Sequence, residues 1–141
     1  MPVPLNKGTR LSMIAAISTQ RVEAALYGSW STNQEIFKAF IEEHLAPELK
    51  RGQIVIMDNI PFHKPAPIIQ AIESTGAIVK FLPEYSPDLS PIEKLWFKIK
   101  NHLRKLAPRT LGEFKVAIKQ AFQLITENDL RAWFKFCGYK T

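Results

Sequence analysis

Apolar positions along the chain recur first at strand spacing and later at helical spacing. Leu11–Ser18 and Arg21–Tyr27 are short apolar-rich runs separated by Thr19-Gln20, a pattern that predicts two antiparallel strands before the break at Gly28-Ser29. Residues 1–10, with two prolines and Gly8, read as an extended lead-in segment. Thr32-Asn33-Gln34-Glu35 has capping-box spacing, and Ile36, Phe37, Phe40, Ile41 and Leu45 then share one helical face, so a helix is expected to end near Pro47 to Lys50. Gln53 to Met57 is a continuous apolar run, which predicts a central parallel strand buried on both faces. Pro65 to Thr75 reads as a helix stopped by Gly76, and Ala77 to Leu82 as another strand. Strand, helix and strand in that order predict a parallel pair joined by a right-handed crossover.

A loop stiffened by three prolines follows, Pro83 to Pro91, and then the best-defined helix of the chain. Ile92, Leu95, Trp96, Ile99, Leu103 and Leu106 recur at helical spacing, with Ser90 suited to the N-cap and Pro91 to the first helical position. Thr110 to Glu113 repeats the capping-box spacing before a helix running to about Ile125. Thr126 to Asp129 starts a last helix carrying Leu130, Trp133 and Phe134. The predicted class is α/β, with a mixed sheet flanked by helices, in a single domain over residues 1–141 whose C-terminal helices occupy 107–141.

Composition supports this reading and narrows the partners. At 141 residues, 46% hydrophobic and 23% charged, the chain is long enough to bury a sizeable core without staples. The net charge of +6 favours polyanions. Basic residues concentrate at Lys94, Lys98, Lys100, Arg104, Lys105 and Arg109, where they either place positive potential beside Glu93 for a polyanion or form a solvated helix face. Cys137 is the sole cysteine, so no intramolecular disulfide exists and a reducing compartment is expected. No apolar run approaches a membrane span. The expectation is a cytoplasmic, nucleoid-associated protein without an anchor.

Two carboxylates carry the candidate chemistry. Asp58 ends the apolar run Ile54-Val55-Ile56-Met57, and Glu93 opens the helix after Ser90, with 34 residues (59–92) between them. Mg²⁺ favours oxygen ligands, and carboxylates at a strand end and a helix start can converge on it. Each acid also has a purely structural alternative. Asp58-Asn59 is good turn chemistry, and Ser90-x-x-Glu93 is itself a capping box that would occupy the same carboxylate. Asn59 could orient Asp58 or form an Asx turn, and His63 could contact phosphate or water or serve as a local hydrogen-bond partner. Trp96 reads as core, Phe97 as an exposed contact, and Asp88 as a loop acceptor.

The segments Ile54-Val55-Ile56-Met57-Asp58-Asn59-Ile60-Pro61-Phe62-His63-Lys64 and Phe81 to Trp96, with Pro83-Glu84-Tyr85-Ser86-Pro87-Asp88-Leu89-Ser90-Pro91-Ile92-Glu93, resemble the catalytic core of DDE transposases. The nearest likeness is to bacterial insertion-sequence enzymes of the mariner-like superfamily, over roughly residues 8 to 106. The resemblance implies an RNase H-like fold and metal-dependent DNA strand cleavage and strand transfer with Mg²⁺ or Mn²⁺, two ions in a complete site. It assigns Asp58 and Glu93 as catalytic metal ligands and Asn59 and His63 as motif neighbours, with double-stranded DNA as partner. Lys94, Lys98, Lys100, Arg104 and Lys105 are the DNA-binding candidates.

Two departures accompany the likeness. Ser90 stands where the family commonly has Asn, an equivalent helix cap. The family's first catalytic Asp belongs to a strand preceding Leu11–Ser18, whereas no Asp occurs before Asp58, and Glu23 is expected to face solvent on the second strand. The chain is therefore expected to be truncated at its N-terminus, to lack the first strand, to cleave DNA poorly in isolation, and to dimerise or accept a strand. The competing expectation is a catalytically inactive, transposase-derived DNA-binding or interaction protein; a weaker one is a nuclease acting on RNA–DNA hybrids.

Overall fold

The computed structural model describes residues 2–6, 9–28, 33–58, 65–83 and 86–140, with side chains from Ser12 onward. Three antiparallel strands come first: β1 (Pro2–Asn6), β2 (Thr9–Ile17) and β3 (Val22–Gly28), in the order β1-β2-β3. The lead-in is thus a strand, pairing Pro2 with Ser12 and Asn6 with Thr9 across a bulge. A helical run follows, α1 (Gln34–Phe40) continuing through a π turn at Ile41–Leu45 and a 3-10 turn at Ala46–Glu48. Its cap is Asn33, whose side chain accepts from the Ile36 amide at 2.9 Å; the expected cap, Thr32, lies outside the described residues. β4 (Ile54–Met57), α2 (Ala66–Glu73) and β5 (Ile78–Phe81) form the predicted strand–helix–strand unit, with β4 and β5 parallel and Ile54 opposite Ile78. Gly76, at φ +90°, ends α2 as expected. The helices α3 (Pro91–Leu106), α4 (Leu111–Gln123) and α5 (Glu127–Phe136) complete the order.

The alternation of β2 creates two cores, because successive side chains of a strand face opposite ways. Met13, Ala15 and Ile17 pack against Leu95, Ile99 and Leu103 of α3 and Phe114, Ala117, Ile118 and Ala121 of α4. On the other face, Ile14 and Ala16 join Phe40, Ile41 and Leu45 after β3 and Ile68 and Ile72 of α2, together with Val55, Met57 and Val79. The result is the three-layer α/β arrangement of an RNase H-like fold. Its capping boxes at Thr110–Glu113 and Thr126–Asp129 both close, each with a hydroxyl and a carboxylate exchanging bonds with backbone amides.

Two features differ from the sequence reading. The parallel and antiparallel strands form two separate hydrogen-bonded sheets, β1-β2-β3 and β4-β5, that share the second core. Among the described residues no strand pairs with β2 from Ile14 to Ile17 on the side away from β3, nor with β4 on the side away from β5. The second difference is that β4 is covered on one face only. Ile54 and Ile56 are 53% and 39% exposed, and Ile78 beside them is 50% exposed, because the layer of α3 and α4 packs on β2 and Tyr27 of β3 and leaves the outer face of the parallel pair open.

Candidate active site

Asp58 follows the last residue of β4 and is exposed, at the C-terminal edge where open α/β sheets gather ligand sites. The Leu82 amide donates to the Met57 carbonyl at 2.8 Å, so the parallel pairing holds the backbone right up to Asp58. Among the described residues, no hydrogen bond or ion pair engages its carboxylate.

Glu93 is the third residue of α3, exposed in its first turn. The capping box that competes for its side chain is not formed: Ser90 makes no side-chain capping bond, and the Glu93 amide donates instead to the Ser90 carbonyl at 3.2 Å. Ser90 is nonetheless buried. The contrast lies within one chain, where the same spacing closes at Thr110 and Thr126 and stays open at Ser90. Glu93 thus keeps its carboxylate available at a helix N-terminus, where the backbone dipole favours negative charge.

Tyr139 reaches the turn that precedes Glu93. Its hydroxyl donates to the Leu89 carbonyl at 2.7 Å, in the 3-10 turn Pro87–Leu89 just before α3. Burial raises the phenol's pKa, and the nearby charges of Cys137 and Asp58 add to the rise, which places Asp58 in the electrostatic neighbourhood of the same ring. Neither the spacing of the acids nor their flanking motifs points to Tyr139. The signal available was Gly138, a helix-stop residue directly before it.

The remaining candidates separate by place. Asn59 and His63 lie outside the described residues. Glu93, Phe97, Lys100 and Arg104 follow one another at spacings of four, three and four along α3, and all four are exposed, Phe97 to 66%. This stripe is basic with one aromatic and leads away from Glu93. Lys105 is also exposed, whereas Lys94 lies over the Phe136 ring with its ammonium 4.0 Å from the centroid. Lys98 is turned toward α5, where it binds the Asp129 carboxylate and the Leu124 carbonyl, the latter at 3.0 Å. Trp96 packs against the first core, as expected. Glu23 does not face solvent: it is half-buried, accepting from Ser18 at 2.8 Å and pairing with Arg21 at 2.9 Å to tie the β2–β3 hairpin. Among the described residues no three His, Cys, Asp or Glu side chains converge.

No helix is long and apolar enough to cross a membrane among the described residues. No curated protein matches the chain. A family model does, that of the DDE superfamily endonucleases, over residues 3–115 of the 141. The matched segment holds both acids and every strand but the first residue of β1, and the chain accordingly belongs to the DDE superfamily endonuclease family.

Proposed function

We propose that Asp58 and Glu93 are metal ligands of a centre for DNA strand cleavage and strand transfer, as in a transposase of the insertion-sequence type. The observation that carries this reading is the open capping box at Ser90, which leaves the Glu93 carboxylate exposed while two boxes of identical spacing are closed. Two exposed carboxylates on rigid elements fit Mg²⁺ or Mn²⁺, which are commonly held by one or two protein carboxylates together with substrate phosphates. When bound, such an ion supplies charge neutralisation at the phosphodiester and a lowered pKa for an attacking water or 3′ hydroxyl. Asn59 and His63 are assigned to the same centre as neighbours of Asp58.

The protein's own part is placement. The Asp58 backbone is fixed by the β4–β5 ladder, Glu93 by the first turn of α3, and the stripe Phe97, Lys100 and Arg104 leads a DNA strand away from them. From Glu93 to Arg104 that stripe spans about 17 Å at ~1.5 Å per residue, or roughly five nucleotides along a duplex axis. Lys105 adds to this surface. A further acidic ligand, on a strand seated between the open edges of β2 and β4, would complete a two-ion site.

The test is binding of double-stranded DNA with and without Mn²⁺, in the wild type and in Asp58→Asn and Glu93→Gln. Mn²⁺ should raise wild-type affinity and lose that effect in both variants. Steeply salt-dependent binding that ignores Mn²⁺ in all three proteins would favour a catalytically inactive DNA-binding protein instead.

A further inference from the structure

Residues 116–141 lie beyond the segment that matches the family model, yet the end of the chain returns to the candidate site. α5 closes in a tight reversal. Gly138 adopts φ +92°, its amide donates to the Lys135 carbonyl at 3.0 Å, and the Tyr139 amide donates to the Phe134 carbonyl at 3.0 Å. These are the paired bonds of a Schellman turn, and its usual apolar contact is present as the Tyr139 ring standing edge-on to Phe134, 5.8 Å between centroids. The turn aims the phenol at the loop before α3, where its hydroxyl meets the Leu89 carbonyl.

The neighbouring residues grip the same place. Phe136 lies under the Lys94 ammonium, one residue after Glu93. Cys137 is buried, and burial pushes its thiol pKa up against the pull of Lys94, with the Asp88 carboxylate adding to the rise. The C-terminal segment therefore contacts Lys94 and Leu89 directly and lies within the field of Asp88. What makes this consequential is the missing Ser90 side-chain cap. The side-chain bond that ordinarily helps fix how a chain enters its helix is absent here, so the approach to Glu93 is held by the turn's own backbone bonds, from the Leu89 amide to the Ser86 carbonyl and from the Ser90 amide to the Pro87 carbonyl, and by the Tyr139 hydroxyl.

We propose that Tyr139 is a positioning residue for the Asp58–Glu93 pair: its hydroxyl pins the Leu89 carbonyl and so fixes the turn that presents Glu93 toward Asp58. This inference rests on the metal-ligand reading of the two acids. Tyr139 touches neither substrate nor ion; it acts through the backbone of residues 87–90. Gly138 is its aiming device, because an alanine there is strained at φ +92°.

The experiment measures Mn²⁺ affinity of the whole chain by electron paramagnetic resonance, alongside amide exchange over residues 89–93. Tyr139→Phe keeps the ring against Phe134 and deletes only the hydroxyl. It should weaken Mn²⁺ binding about fivefold, the equivalent of one hydrogen bond, and speed exchange at residues 89–93 while leaving α4 unchanged. Gly138→Ala should do the same by turning the ring away. In the Glu93→Gln background, Tyr139→Phe should cause no further loss of Mn²⁺ affinity. If Asp58→Asn binds Mn²⁺ as the wild type does, the metal-ligand reading fails and this inference with it. If Asp58→Asn loses the ion but Tyr139→Phe and Gly138→Ala retain wild-type affinity, the positioning role alone is overturned.

Discussion

Replacing Lys98 by Met should destabilise the protein and leave its affinity for DNA unchanged, although Lys98 sits among the basic residues of α3. Its ammonium donates to the Leu124 carbonyl and to the Asp129 carboxylate, joining α3 to the start of α5. The two side chains are 36% and 29% exposed, so solvent screens the pair and it contributes about 1 kcal/mol at most. The bond to the carbonyl adds about 1 kcal/mol. Methionine preserves much of the stem's packing, which leaves an expected loss of roughly 1–2 kcal/mol in urea unfolding. A double-mutant cycle with Asp129→Asn isolates the pair and should return a coupling of about 0.5–1 kcal/mol. The DNA arm is the salt dependence of binding. Lys100→Gln and Arg104→Gln, from the exposed stripe, should each reduce the slope of log K against log salt by about 0.9, whereas Lys98→Met should not. A Lys98→Met protein with unchanged stability and a reduced salt slope would refute the assignment and return Lys98 to the DNA-facing set.

Other outcomes follow from single positions. Burial alone would raise the pKa of Asp129, but its bonds with Lys98 and the Thr126 amide outweigh this and hold it below its ordinary 3.8. Its stabilising contribution is therefore complete above that value and disappears as pH falls through the lower folded value; urea midpoints of the wild type and Asp129→Asn should differ at pH 6 and converge toward pH 2.5. Ala107 ends α3 at φ +45° in the left-handed region, so Ala107→Gly should stabilise by about 0.5–1 kcal/mol in the same assay. At Gly76 the opposite holds: φ is +90° and an added Cβ would lie 2.8 Å from Arg51 Cγ, so Gly76→Ala should cost about 1–3 kcal/mol and lower the melting temperature.

The elements were legible where a local signal coincides with the tertiary outcome. The Ser90-Pro91 start and the recurrence of Ile92, Leu95 and Ile99 place α3 closely, and the strand–helix–strand order anticipates the parallel β4–β5 pair. Burial was less legible, because a continuous apolar run specifies a strand but not how many layers cover it. Ile54 and Ile56 are as apolar as Val55 and Met57, and only the placement of α3 and α4 over β2 leaves them exposed. Asp58 and Glu93 were singled out from position and motif, yet whether Ser90 and Glu93 close a capping box depends on how the preceding loop approaches the helix. Lys98 and Lys100 look alike in sequence; two positions apart on a helix they point about 200° apart, one to α5 and the other to solvent. Tyr139 was the least accessible, since its partner Leu89 is 50 residues away.

The separation of the two sheets bears on what holds Asp58 and Glu93 in place relative to one another. Asp58 hangs from β4, whose packing belongs to the core shared with α2, whereas Glu93 stands on α3, rooted in the core shared with α4. With no ladder joining β2 to β4 among the described residues, apolar packing in the second core, and not strand pairing, holds the β4–α2–β5 unit to the antiparallel strands. The relative placement of Asp58 and Glu93 therefore rests on side-chain packing across the seam between the sheets, and whatever seals that seam steadies it.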